Sequence, residues 1–319
     1  MTGRNGTGRG RWLALRLVQG LATLFVVSIL IFAATQALPG DVARLILGVH
    51  ATPERLATVR EQLGLTQPLY VQYWRWFTGV LHGDFGTSLI NGQPVSALLG
   101  VRLRNSVTLS AIALVIMLPV SLVVGIAAAQ RKDRAVDRSF LGLSMIANAT
   151  PEFVLGTVLV ALLGTNVFKI FPPVSIIPPS HMPWWHPGAM VLPVTTLVIG
   201  GVMYLSRLVR VSFIDVLSSE YIQAARLKGL STARILFKHT LPNALAPAIP
   251  AASLVAAFTV GGVVVVEYLF AYPGVGSALV DSVGNRDVPV VQAIVLIIAV
   301  TYFLLNLVAD VLGNRGSGR

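Results

Sequence analysis

The sequence predicts an all-α integral membrane protein with six transmembrane helices and both termini in the cytoplasm. Composition, hydropathy patterning and the placement of the basic residues predict it. Hydrophobic residues make up 55% of the 319, charged residues only 12%, and mean hydropathy is +0.76. A soluble domain carries roughly 25% charged residues, so this chain holds about half the charge needed to coat a wetted surface. Six runs are long and apolar enough to cross a hydrocarbon core of roughly 30 Å as helices of about 20 residues. The third observation is the distribution of the 24 lysines and arginines, most of which fall in alternate loops.

The first span runs from Trp12 to Ala37, with Arg16 near its start, and the second from Ser106 to Ala129. The third covers Phe140 to Phe168 and contains one acid, Glu152. Gly188 to Ser206, Ala244 to Val266 and Val288 to Ala309 complete the set. A segment in lipid must satisfy its own backbone, which favours helices. A barrel would need alternating segments of about ten residues, and these are absent. Sixteen basic residues lie before span one, between spans two and three, between four and five, and after six. Eight lie in the opposite loops, six of them in the long first loop, where the positive-inside rule is weak. The net charge of +11 is thus an orientation signal, and no nucleic-acid partner is expected.

The absence of cysteine excludes a disulfide scaffold, thiol catalysis and cysteine metal sites. The basic lead and the small-residue stretch Ala33–Ala37 resemble a signal peptide. The apolar part exceeds the usual 7–15 residues or so, so a retained helix is expected. The organisation is a basic N-terminus at 1–11, a first helix at 12–37 and an external loop at 38–104. A five-helix core at 105–313 follows, with a cytoplasmic loop at 207–243 and a tail at 314–319.

In the external loop, Thr52-Pro53-Glu54 reads as a helix start, with a capping hydroxyl, proline in the first turn and an acid beside it. That helix stops at Gly64. Tyr70, Tyr73, Trp74, Trp76 and Phe77 then crowd a segment expected to lie as a helix on the membrane surface, an aromatic ligand box being the alternative. Six prolines between 172 and 187 predict a stiff external connection between spans three and four. The 207–243 loop differs in kind. The fourth helix continues through RLVRVSFIDVL, IQAARLKG is helical and breaks at Gly229, and STARILFKHTL, capped by Ser231, ends at Pro242. Two short helices split by a glycine form a knob suited to docking another protein.

At this loop the chain resembles the permease subunits of ABC importers. Their signature places two alanines before a glycine, matched by Ala224, Ala225 and Gly229, and a Leu-Pro about ten residues on, matched by Leu241 and Pro242. Gln223 stands where the signature has Glu, and His239 where it has Ile; Glu220, one turn earlier, is the nearby acid on a different face. The resemblance narrows to the dipeptide/oligopeptide (Opp/Dpp-type) B-subunit permeases through several further motifs. These are LPGDVARLILG at 38–48, QLGLTQPLYVQYWRW at 62–76, GDFGTSL at 83–89, RLRNSVTLSAIAL before span two, VEYLFAYPGVGSALVDSVGNRDVPVVQA at 266–293 and NLVADVLG at 306–313. The tail departs from the pattern, ending in NRGSGR rather than a longer Asp-Pro-Arg segment.

The resemblance implies a type I importer permease that forms half of a translocation pathway. It implies a C-type permease as heterodimer partner, two ATP-binding cassette subunits beneath, and an extracytoplasmic solute-binding protein that delivers di- or oligopeptides. ATP and Mg belong to the partner subunits: no G-x-x-x-x-G-K-[ST] motif occurs in this chain, which is expected to bind no cofactor and catalyse no reaction. The knob's docking residues are Glu220, Gln223, Ala224, Ala225, Gly229, His239, Leu241 and Pro242, and a Gly229→Asp change is expected to abolish transport. An intramembrane acid is expensive and normally faces a cavity or a partner, which makes Glu152 the candidate for a peptide ammonium on the path. The alternatives for Glu152 are a helix cap at Pro151 or a pair with the second permease. Glu267, Asp281, Arg286 and Asp287 are candidates for an outer gate or a binding-protein contact. Gly200-Gly201 and Gly261-Gly262 suit close helix packing. The same architecture serves nickel chelates and other small solutes. A secondary transporter would show internal repeats with broken helices, and an intramembrane enzyme would need a catalytic pairing that the sequence does not show.

Overall fold

A computed structural model describes residues 5–37, 47, 51–62 and 64–316. Arg4, Arg319 and nearly all of the 38–48 motif lie outside these residues. The described chain is helical almost throughout, its one extended pairing being an isolated bridge between Thr87 and Pro94. In order the helices are α1 (Asn5–Gln36), α2 (Pro53–Gln62), α3 (Leu69–Leu81), α4 (Val95–Gln130), α5 (Ala135–Ala149) and α6 (Glu152–Leu159). They continue as α7 (Pro187–Leu217), α8 (Glu220–Leu227), α9 (Thr232–Arg234), α10 (Leu241–Leu269), α11 (Val275–Gly284) and α12 (Val288–Gly316).

Five helical stretches are long and apolar enough to cross a membrane: Gly10–Gln36, Val95–Gln130, Pro187–Leu217, Ala248–Leu269 and Val288–Val311. The third expected span is a bent pair, α5 and α6, which meet at 104° and make the sixth crossing if the pair is one broken span. The cause is local. Thr150, the residue before Pro151, is extended at φ −90°, ψ 123°, as the proline ring demands of its predecessor. The chain then restarts as α6 and closes in a π-helical turn, Val160–Thr165.

The chain forms two compact units, Met1–Leu103 with Ala278–Phe303, and Arg104–Ser277 with Leu304–Arg319. In the first, α3 packs on α1 through rings: Phe25 and Phe32 meet Tyr73 edge-on, with centroids 6.5 and 5.5 Å apart. The Tyr73 hydroxyl reaches Ser28 Oγ at 2.9 Å, so both polar atoms are satisfied inside an apolar contact. Tyr70 and Trp74 remain exposed on the other side of α3. The aromatic run is therefore one packed face and one open face, and the packed face makes no ligand box. Thr52 caps α2 through the Arg55 amide, and Gly64 has the positive φ of +67° that ends it.

In the second unit, α7 and α10 form the most extensive helix pairing, with α5 and α6 packed alongside. Leu109, Leu192, Leu197, Val266 and Phe270 make one cluster, and Met117, Leu205, Val209, Phe213 and Ala244 another. Between helices in lipid such contacts act through close packing rather than through release of water. Hydroxyls within the apolar helices bond to the carbonyl one turn back, Ser121 to Met117, Thr196 to Leu192 and Thr259 to Val255, at 2.7–2.8 Å. No polar group of these three is left to face hydrocarbon.

Candidate functional site

The knob is built from its turn outward. α8 ends in a Schellman closure: the Leu230 amide donates to the Ala225 carbonyl at 3.2 Å and the Gly229 amide to Arg226 at 2.9 Å. This closure puts Gly229 at φ +73°, and a Cβ there would meet nothing within 4 Å. Only the backbone conformation demands glycine, since L side chains disfavour that region. Beneath the turn Ile222, Ala225 and Ile235 are buried, with Leu230 and Val216 packed against them. Ser231 caps α9 by accepting the Arg234 amide at 3.4 Å.

The second arm of the knob corrects the expectation of a helix that ends at Pro242. α9 widens into a π-helical turn, Ile235–Thr240, and runs directly into α10 with Pro242 in its first turn. A proline in the first turn of a helix gives up an amide that would be unpaired anyway. The knob is thus continuous in helix with a spanning helix. Tyr221 and Asn243 tie its two arms: Asn243 Nδ2 donates to the Tyr221 hydroxyl at 3.1 Å and to the His239 carbonyl at 2.8 Å.

The two alanines of the signature divide. Ala225 is buried, where a larger side chain would push the arms apart, and Ala224 is exposed. Glu220 and Gln223 are both exposed and three residues apart, which places them side by side on one helix face rather than on different faces. His239 and Leu241 are half-buried, and Pro242 is exposed. The sequence reading missed Leu227, which is 91% exposed at the tip, and Phe237, also open. The spacing Tyr221, Ala224, Leu227 was the available signal, because residues three apart share a face. Behind the knob lies a cavity of about 770 Å3 whose lining includes Lys132, Gln223 and Arg226.

A second feature went unread. Arg210, counted for orientation, donates Nε and Nη2 to the two carboxylate oxygens of Asp137 at 2.5 and 2.6 Å. The pair joins α5 to α7, with the two side chains only 2% and 12% exposed. Asp137 also accepts the amide of Asp133, which stands at φ +65°. Bidentate guanidinium–carboxylate geometry fixes both distance and orientation, so the turn between α4 and α5 is held to α7.

Of the four residues expected at an outer gate or docking contact, two correct to buried anchors. Glu267 is wholly buried and accepts the Gly276 amide at 2.6 Å. A Cβ on Gly274 would overlap its carboxylate, so the Tyr272–Gly276 turn is wrapped around it. The Tyr272 hydroxyl donates to the Asn105 carbonyl at 2.9 Å, and burial together with the Glu267 charge pushes that phenol up, holding its proton. Asp287 is 3% exposed and accepts from the Ser88 hydroxyl and, at 3.0 Å, from the Leu89 amide. Asp281 and Arg286 are exposed. Neither buried carboxylate presents a surface to a docking protein.

Glu152 stands at the first position of α6, half-buried, with its carboxylate against the bare backbone of two neighbours. A Cβ on Gly262 of α10 would overlap that carboxylate, and one on Gly200 of α7 would lie 4.0 Å from it. Its side chain makes no cap bond to α6, and no hydrogen bond to it is found among the described residues. It lines a cavity of about 510 Å3 together with Asn148, Tyr204, Phe258, Thr259 and Gly261. Gly201, by contrast, serves close packing, since a Cβ there would strike Met117.

The chain matches the family described as binding-protein-dependent transport system inner membrane component over residues 121–315. The N-terminal component of the same systems matches residues 10–124. It is 40% identical over 297 residues to the glutathione transport system permease protein GsiC of Salmonella paratyphi A, covering 93% of this chain and 94% of that one. The Escherichia coli K12 protein of the same name is 37% identical over 93% of this chain and 94% of its own. A probable peptide ABC transporter permease, y4tP of Sinorhizobium fredii, is 36% identical over 94% of this chain and 96% of that one. A solved amino acid ABC transporter shares the fold, with a TM-score of 0.51 at 16% identity, covering 69% of this chain and 94% of that one. The chain therefore belongs to the binding-protein-dependent transport system inner membrane components, as a multi-pass permease subunit of an ABC importer.

Proposed function

We propose that this permease forms half of the translocation pathway of an ATP-driven importer of di- or oligopeptides. A second, C-type permease completes the pathway, two ATP-binding subunits receive the knobs and hold ATP and Mg, and an external binding protein delivers the peptide. Both termini lie in the cytoplasm, on the side of the knob, following the basic residues. The observation that carries this reading is the knob: a glycine-reversed pair of arms that exposes Leu227 beside the turn and Tyr221 and Phe237 along the arms. Apolar side chains bare on a knob that also carries the exposed Glu220, Arg226 and Lys228 suit insertion into a groove of another protein. Because the second arm continues into α10, a push on the knob becomes a tilt of a spanning helix. Closure of two ATP-binding subunits then drives the rocking of a two-state assembly. The peptide class rests on two relatives, one named for glutathione and one for peptides.

The test is Gly229→Val in the reconstituted importer. A β-branched side chain at φ +73° breaks the Schellman closure, although its Cβ meets no neighbour within 4 Å. ATP-driven peptide uptake is expected to disappear with membrane insertion intact, whereas Gly229→Asn, which tolerates that region better, retains part of it. Uptake at the wild-type rate by the valine variant removes the knob from the coupling.

A further inference from the structure

The cavity beside Glu152 is built like a place for a cation. Its carboxylate is the one charged group in the lining, since the remaining residues are Asn148, Tyr204, Thr259, four glycines and aliphatic or aromatic side chains. Two of the glycines keep the carboxylate against bare helix backbone, so no side chain stands between it and the open space. Phe258 is 59% exposed and Tyr204 38%, leaving two ring systems open beside the acid. A carboxylate held among apolar helices without a partner is unstable relative to one that meets a cation. Aromatic rings next to it add attraction for an ammonium through their π faces. At about 510 Å3 the space is in the range of small-molecule sites, roughly 300–1,000 Å3.

We propose that this cavity between α6, α7 and α10 is a transient binding site for the ammonium head of the transported solute. Glu152 supplies the counter-charge, and Tyr204 and Phe258 flank the group that follows it. Naming the cation as a peptide's free amine rests on the function proposed above; the site's preference for a cation does not. One unmatched carboxylate and no converging donors make such a site weak, which suits a path that must release what it holds. Gly262 is then a positioning residue, because any side chain there displaces the carboxylate from the mouth of the cavity.

The chain has no cysteine, so a single introduced thiol reports on this site alone within the chain. Gly261→Cys is the probe position, since a Cβ there meets nothing within 4 Å, and Asn148→Cys, on an exposed residue of α5, is the second. In the assembled importer, the rates of modification by a cationic and an anionic methanethiosulfonate are compared from the intact mass of this chain. The cationic reagent is expected to react about tenfold faster, a ratio that a unit charge several ångströms away readily produces at intermediate dielectric. Adding Glu152→Gln brings the two rates together, and trialanine slows the cationic reaction while N-acetyl-trialanine does not. Equal rates with Glu152 present, the result if it pairs with a cation of the second permease, overturn the proposal, as does a preference that survives Glu152→Gln. A preference that trialanine leaves untouched upholds the cation site and counts against peptides as the cargo.

Discussion

Glu267 and Glu152 are both acids set against glycine backbone in the same unit, and the structure treats them oppositely. Glu267 is wholly enclosed by the turn that follows α10, with the Gly276 amide on its carboxylate. Glu152 is half-buried, meets no donor among the described residues and faces a cavity. Asp137 sides with Glu267, its charge answered in full by Arg210. An acid enclosed by the fold and bonded within it, Glu267 through one carboxylate oxygen and Asp137 through both, belongs to that fold. An acid left without such bonds is open to a group from outside the chain, as proposed above for Glu152. The sequence presents Glu152 as an acid within a span and Glu267 as an edge charge, yet the edge charge is the one wholly enclosed.

The largest effect is expected at the pair that makes the first class most clearly. Arg210→Ala leaves Asp137 charged and nearly buried, a loss of about 3–5 kcal/mol. It should lower the melting temperature of the detergent-purified chain more than the other changes considered. Glu267→Ala leaves the buried Gly276 amide without its acceptor, at a cost of about 1–3 kcal/mol, read in the same melt. The smallest change in stability belongs to Gly262→Ala. There the atoms nearest the new methyl are the movable end of Glu152, so stability is expected to stay within about 1 kcal/mol of wild type while peptide uptake falls. If Gly262→Ala melted like Arg210→Ala, Glu152 would belong with the structural acids and the contrast would be lost.

Much of the architecture was legible because lipid permits few solutions. Runs such as Val288–Ala309 have to be helices, and the structure places α12 from Val288 onward. Ser231, Thr52 and Gly64 announced their caps and turn through chemistry that acts within four residues. What local chemistry did not show was where the chain turns back on itself. Phe140–Phe168 has the hydropathy of one span, and only the Thr150–Pro151 step carries the 104° bend. Pro242 signals an ending equally well as the first turn of a new helix, and the latter holds.

The candidate site was legible in unequal parts. Gly229 declared its role because a positive φ leaves few alternatives. Arg210 was indistinguishable from the other orientation charges, since its partner lies 73 residues away. Glu267 and Asp287 looked like edge charges because their burial depends on turns whose closure no local pattern reveals. Leu227 was overlooked for the opposite reason: a leucine in a helical segment is expected inside, and this one is 91% exposed.

The central claim is that this chain works only as the membrane half of an ATP-driven machine. Purification of the chain from its own membranes in mild detergent, with identification by mass of whatever accompanies it, tests that claim most directly. The account predicts two ATP-binding subunits and a second, different permease in the same complex. Recovery of the chain alone, with solute uptake surviving ATP depletion, would contradict it.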